Sequence, residues 1–127
     1  MSYDISIVYP DTKNVVVCPE PHNIYGTTYC EGGTELWYST TFNYRPHFIE
    51  IFGENGIHTL RGMRCIDSLD LINKGIIHSA KMAIENNCYD TQRVNPWDLN
   101  WRNTCKALKD LYNLALLAPY GVWEVES

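Results

Sequence analysis

A chain of 127 residues with 45% hydrophobic content is sized for one domain with a modest core. Fifteen acidic and ten basic residues leave a net charge of −5, and neither sign is gathered into a run. This excludes the basic footprint of a non-specific nucleic-acid binder and the acidic run of a nucleic-acid mimic. No stretch approaches the roughly 18 apolar residues that cross a membrane, and Met1-Ser2-Tyr3-Asp4 lacks the basic and apolar regions of an export signal. The five cysteines, at irregular spacing, read as reduced thiols, so the expected location is a cytoplasm.

From the N-terminus, Tyr3, Ile5, Ile7 and Tyr9 alternate with Asp4, Ser6 and Val8, the period of a half-buried strand. Pro10-Asp11 turns the chain into a second short strand, Val15 to Cys18, and the two are expected to form a hairpin. Residues 19–34, punctuated by Pro19, Pro21, Gly26, Gly32 and Gly33, read as a long loop. Residues 34–44 give the clearest strand. Leu36, Tyr38, Thr40, Phe42 and Tyr44 face the core; Glu35, Trp37, Ser39, Thr41 and Asn43 face away. Pro46 opens a short helix carrying Phe48, Ile51 and Phe52, which Gly53 ends. Glu54-Asn55-Gly56 is a turn, and Ile57 to Leu60 a short strand or an irregular link.

Asp67 is the expected N-cap of a long helix whose stripe is Leu69, Ile72, Ile76, Ala80 and Ala83, running to about Asn86. Gly75 inside it costs about 1 kcal/mol against Ala and points to a close backbone crossing. After a polar loop from Asn87 to Val94, Asn95-Pro96 reads as the cap and first residue of a second long helix. Its stripe is Trp97, Trp101, Cys105, Leu108, Leu111, Tyr112 and Ala115, and Ala118-Pro119 closes it. Val122 to Val125 can add a last strand. Strands first and helices later predict an α+β fold. The expectation is a small, mostly antiparallel sheet of three to four strands with two long helices and one short one. It forms a single domain, 1–127, with the sheet in residues 1–60 and the helical part in 61–127.

Chemistry-bearing motifs are few. Cys18, His22 and Cys30 lie near one another in sequence, but zinc favours close ligand pairs, and Cys18-x3-His22 has no matching second pair. No metal and no cofactor is expected. With no P-loop, no G-x-G-x-x-G and no G-x-S-x-G elbow, the chain does not read as an enzyme. Anion binding has more material. Arg61 and Arg64 precede the helix near Asp67, where free N–H groups and a partial positive charge favour phosphate; a solvated turn with a self-capped helix explains the same residues. Trp37, Asn43, Tyr44, Arg45 and His47 combine aromatic faces, an amide and a cation, the mixture a nucleotide pocket uses. Core packing of Tyr44 with surface placement of Arg45 and His47 is the competing account.

Three stretches together carry a resemblance: Met1-Ser2-Tyr3-Asp4-Ile5; Glu35-Leu36-Trp37 with Phe42-Asn43-Tyr44-Arg45-Pro46-His47-Phe48 and Phe52-Gly53-Glu54-Asn55-Gly56-Ile57; and Pro119-Tyr120-Gly121-Val122-Trp123. Over nearly its whole length the chain resembles a family of small proteins carried by phages and prophages of Gram-positive bacteria, with the motif Asn-Tyr-x-Pro-His-Phe followed by Phe-Gly-x-x-Gly-Ile. Members of that family tend to have Thr-Gly where this chain has Arg64-Cys65, so the two-arginine site would be particular to this chain. The resemblance names no activity. It implies an accessory protein of the host bacterial cytoplasm that counters host defence. The expected mechanism is non-catalytic sequestration of a nucleotide immune signal, in a pocket of a homo-oligomer. Trp37 and Tyr44 would stack on a base, Asn43 would hydrogen-bond, Arg45, Arg61 and Arg64 would meet phosphates, and His47 would orient the ligand. The alternatives are an inhibitor that binds a host defence nuclease, in the manner of an anti-CRISPR protein, and a phage structural or regulatory protein.

Overall fold

The computed structural model describes residues 2–86 and 95–127. In chain order the elements are β1 (Ser2–Val8), β2 (Val17–Tyr25), β3 (Glu31–Glu35), β4 (Trp37–Thr41), α1 (Arg45–Phe52), α2 (Cys65–Glu85), α3 (Trp101–Leu117) and β5 (Val122–Glu126). The chain is α+β: β4, β1 and β5 form an antiparallel sheet in that order, and β2 pairs with β3 as a separate antiparallel arm. The C-terminal strand therefore completes a sheet begun at the N-terminus. No helix among the described residues is long and apolar enough to cross a membrane.

The alternation of β1 sets the register. Ile5 lies between Tyr38 and Val125, Ile7 opposite Trp123 and Tyr3 opposite Thr40. All seven side chains are buried on the helix-facing side. A one-residue slip would turn that face outward, so burial fixes the pairing. Asp4, Ser6, Trp37, Ser39, Glu124 and Glu126 take the other face. The core is completed by Tyr44, Phe48, Leu108 and Leu111, and the indole N–H of Trp123 donates to Ser68 Oγ at 2.8 Å.

Several expectations are revised. The first hairpin turn is present, with Val8 bridged to Val15, but the chain then leaves the sheet. Residues 19–34 are largely the β2–β3 arm rather than a loop. Pro19 and Pro21 sit in β2, which pairs on one side only, so their missing N–H groups need not interrupt a ladder. The strand expected to reach residue 44 stops at Thr41, whose hydroxyl accepts from Asn43 N at 3.1 Å and caps a 3-10 turn, Phe42–Tyr44. Gly56–Leu60 is likewise a 3-10 helix. α2 begins before Asp67, with Arg64 at the N-cap position. α3 begins at Trp101, capped by Asn100 accepting from Asn103 N at 2.8 Å, whereas Asn95 closes a local turn on Trp97 N. The loop expected at 87–94 lies outside the described residues.

Candidate functional site

The seven residues singled out in the sequence do not share one cavity. Arg61 and Arg64 already have counterions: Arg61 Nε lies 3.0 Å from Glu124 Oε1, and Arg64 donates to both oxygens of Asp67 at 2.9 and 3.3 Å. The second pair holds the Arg64 guanidinium charge even more firmly, first through the hydrogen bond and then through the carboxylate charge. Exposed pairs of this kind contribute little to stability, but they place an acid beside each arginine.

Tyr44 is a core residue with no exposed surface, packed edge-on against Phe48, and its hydroxyl donates to Pro96 O. It has no ring face for a base. Asn43 donates to Trp97 O at 2.8 Å, so both side chains hold segment 95–97 against the start of α1. His47 lies flat on Trp101, ring centres 3.6 Å apart, with Nδ1 and Thr104 Oγ1 2.7 Å apart. Trp37 is on the outer sheet face beside Tyr29, in a shallow depression with Asp4, Ser6, Glu124 and Glu126. The 3-10 turn at 42–44 explains the scatter. It ends the alternation of β4 at Thr41, which was expected to face away and is buried, while Tyr44 stays inward and Arg45 opens α1 on the outside.

Arg45 is the member of the set that faces a cleft without a counterion. The cleft encloses about 320 Å³ and is built from segments far apart in the chain. β1 supplies Tyr3, the 3-10 turn before α1 supplies Phe42, the start of α1 supplies Arg45, the turn after α1 supplies Glu54 and Asn55, the second 3-10 helix supplies His58, and Ser127 follows β5. Gly53 and Gly56, at φ +96° and +54°, give that turn its shape. The chain matches no family model, no curated protein and no solved structure. The cleft's chemistry is therefore read from its own atoms.

Tyr3 stacks on Phe42 at 5.0 Å, and the Arg45 guanidinium lies 5.9 Å from the same Phe42 ring. The Tyr3 ring is buried, and its hydroxyl, which lines the cleft, has no hydrogen-bond partner among the described residues. Burial pushes that hydroxyl's pKa up and the charge of Arg45 draws it back, so the two groups sense each other. Among the described residues Arg45 makes no ion pair. His58 Nε2 is 3.0 Å from Ser127 Oγ, which ties the end of β5 to the rim. The arrangement offers a cation, an unpaired O–H, an amide and a carboxylate: a set for binding. Tyr3, Glu54, Asn55 and His58 gave no sign of this in the sequence. Asn55 reads as a turn residue and Tyr3 as a core residue, and only the fold brings them to Arg45.

The described cysteines are elsewhere. Cys18, Cys30, Cys65 and Cys105 are free thiols, and no cluster of three metal-ligating side chains occurs among the described residues.

Proposed function

We propose that this protein binds a small phosphorylated molecule of nucleotide type without transforming it, in the cleft of Tyr3, Arg45 and His58. The observation that carries this reading is the pairing of an exposed guanidinium that lacks a counterion with a hydroxyl that has no partner among the described residues, both lining one hollow. A hydroxyl at the wall of a cleft with no protein partner has its hydrogen-bonding capacity free for a ligand oxygen. Arginine is suited to phosphate because its planar donors match the oxygens. With the phage-family resemblance, this becomes sequestration of a host nucleotide signal in the bacterial cytoplasm, by a protein that associates with itself.

The test is direct. The protein is incubated with cyclic and ADP-ribose-derived nucleotides, washed and heated. Intact ligand in the supernatant, with a raised melting temperature before heating, supports the reading. Chemical conversion of the ligand makes the protein an enzyme instead. Light scattering checks self-association, and a monomeric mass at all concentrations overturns that part.

A second reading has its own observation. On the outer sheet face Asp4 is the cross-strand partner of Glu126, and Trp37 and Tyr29 flank these acids half-exposed or exposed. Like charges directly opposite are destabilising, and exposed Trp and Tyr are favoured at protein interfaces. This face suits a basic protein partner, as the nuclease-inhibitor alternative requires. Trp37→Ala abolishing inhibition of a purified host nuclease, with nucleotide binding absent, would favour it over sequestration.

A further inference from the structure

The cleft's composition is selective about which part of a phosphorylated ligand enters it. One guanidinium, Arg45, faces the space, so it is matched to one phosphate group. Glu54 lines the same space, and its carboxylate would repel a second phosphate while accepting hydrogen bonds from hydroxyl groups. Asn55 adds an amide that both donates and accepts. The aromatic surface is already engaged: Phe42 is stacked by Tyr3 and has the Arg45 guanidinium beside its ring, while Tyr3 also meets Phe48 and His58 edge-on. A nucleobase would find hydrogen-bonding groups here but no free aromatic platform of the kind base-binding sites use. The volume of about 320 Å³ stands at the lower end of small-ligand sites.

Resting on the function proposed above, we infer that the cleft recognises a sugar phosphomonoester, with Arg45 and the Tyr3 hydroxyl on the phosphate and Glu54 and Asn55 on the sugar hydroxyls. A base, where the ligand has one, stays outside. Free pentose phosphates and mononucleotides share this chemistry. Cyclic dinucleotides do not, because their phosphates are diesters within a ring and carry no terminal phosphoryl group.

Calorimetry with four probes tests this: ribose 5-phosphate, AMP, adenosine and a cyclic dinucleotide. Ribose 5-phosphate and AMP are expected to bind within a few-fold of each other, and adenosine and the cyclic dinucleotide not to bind. Arg45→Ala should weaken ribose 5-phosphate by roughly 10–100-fold. Tyr3→Phe, which keeps the ring stack, should weaken it by several-fold. Glu54→Gln should weaken ribose 5-phosphate without weakening inorganic phosphate, because it removes a partner of the sugar hydroxyls and a charge that repels phosphate. Melting curves of each variant without ligand separate lost binding from lost folding. If the cyclic dinucleotide binds and ribose 5-phosphate does not, the inference is overturned while the broader function stands. If AMP binds at least a hundredfold more tightly than ribose 5-phosphate, the base is being read and the inference also fails. If no phosphorylated probe binds, both readings fall together.

Discussion

His47 joins three helices through one ring. It belongs to α1, lies on Trp101 and meets Thr104 of α3; His78 of α2 stands edge-on to the same indole and hydrogen-bonds Glu50 at 2.6 Å. Burial lowers the His47 pKa; Glu50 opposes this and His78 adds to it. A histidine held below its ordinary value is protonated more readily in the unfolded chain. The stability it contributes is therefore present above the usual histidine range and is lost as pH falls through it, from about 6.5 downward. The gap in melting temperature between the native protein and His47→Gln should be wide at pH 8 and narrow toward pH 5. An unchanged gap would show that His47 does not titrate across this range. His47→Ala should cost about 1–3 kcal/mol at pH 8, from the lost hydrogen bond and ring stack together. The thiols give a second residue-scale check. Cys65 has no exposed surface and burial pushes its pKa up to about 12, whereas Cys18 is half-buried. Alkylation at pH 8 followed by peptide mass spectrometry should find Cys18 labelled before Cys65, because only the thiolate reacts. At this scale, burial of Leu36, Tyr38 and Thr40 was legible from alternation alone. The cleft around Arg45 was not, since a hydroxyl cap at Thr41 ends the strand four residues before it and starts a 3-10 turn.

Gly75 shows what a single element could and could not disclose. A glycine inside a helical stripe suggested a close crossing, and the crossing is there. A Cβ at this position would lie 2.8 Å from Ile51 Cγ2 and 3.2 Å from Leu108 Cδ1. α2 thus meets side chains of α1 and α3 where it has none of its own. Gly75→Ala sets a helix-propensity gain of about 1 kcal/mol against an overpacking cost of about 1–3 kcal/mol. Both contacts are with branched side chains in or beside the core, so net destabilisation is expected, read as a lower urea midpoint with an unchanged slope. A higher midpoint would mean that Ile51 moves aside at little cost. The start of α3 was less legible, because two asparagines offered a cap. Asn95 does make a cap-like bond, but Asn103 donates to Asn95 O and Asp98 O, folding residues 95–98 into a turn ahead of the helix. Packing of Trp101 against His47 then favours Asn100, a tertiary contact that local sequence does not carry.

The whole molecule is tied by groups far apart in the chain. Tyr38 of β4 donates to Asp110 of α3 at 3.0 Å and accepts from Thr27 N at 3.0 Å. Lys106 pairs with the same Asp110 and reaches Tyr25 O at 3.1 Å. This network anchors the end of the β2–β3 arm to both the main sheet and α3. It explains why the arm was illegible: its sequence is rich in proline and glycine, and its attachment depends on a carboxylate 72 residues beyond Tyr38. The sheet and the two long helices, in contrast, follow from periodicities within single segments. The network also makes a pH-dependent prediction. Asp110 is only 4% exposed, and burial raises its carboxyl pKa, with Lys106 and then Tyr38 holding it back. Removing the cation in Lys106→Met leaves a buried carboxylate short of compensation. Because the ammonium is half-exposed, the cost at pH 8 should fall between the exposed and buried cases, at about 1–3 kcal/mol. A folded-state pKa raised above the unfolded value favours the native state as pH falls, so the penalty should shrink when Asp110 takes up a proton. Urea unfolding of native and Lys106→Met protein at pH 8 and pH 4.5 measures this. The stability gap should close at the lower pH, and amide exchange in the arm should quicken in the variant at pH 8. Equal gaps at both pH values would assign Lys106 to packing alone.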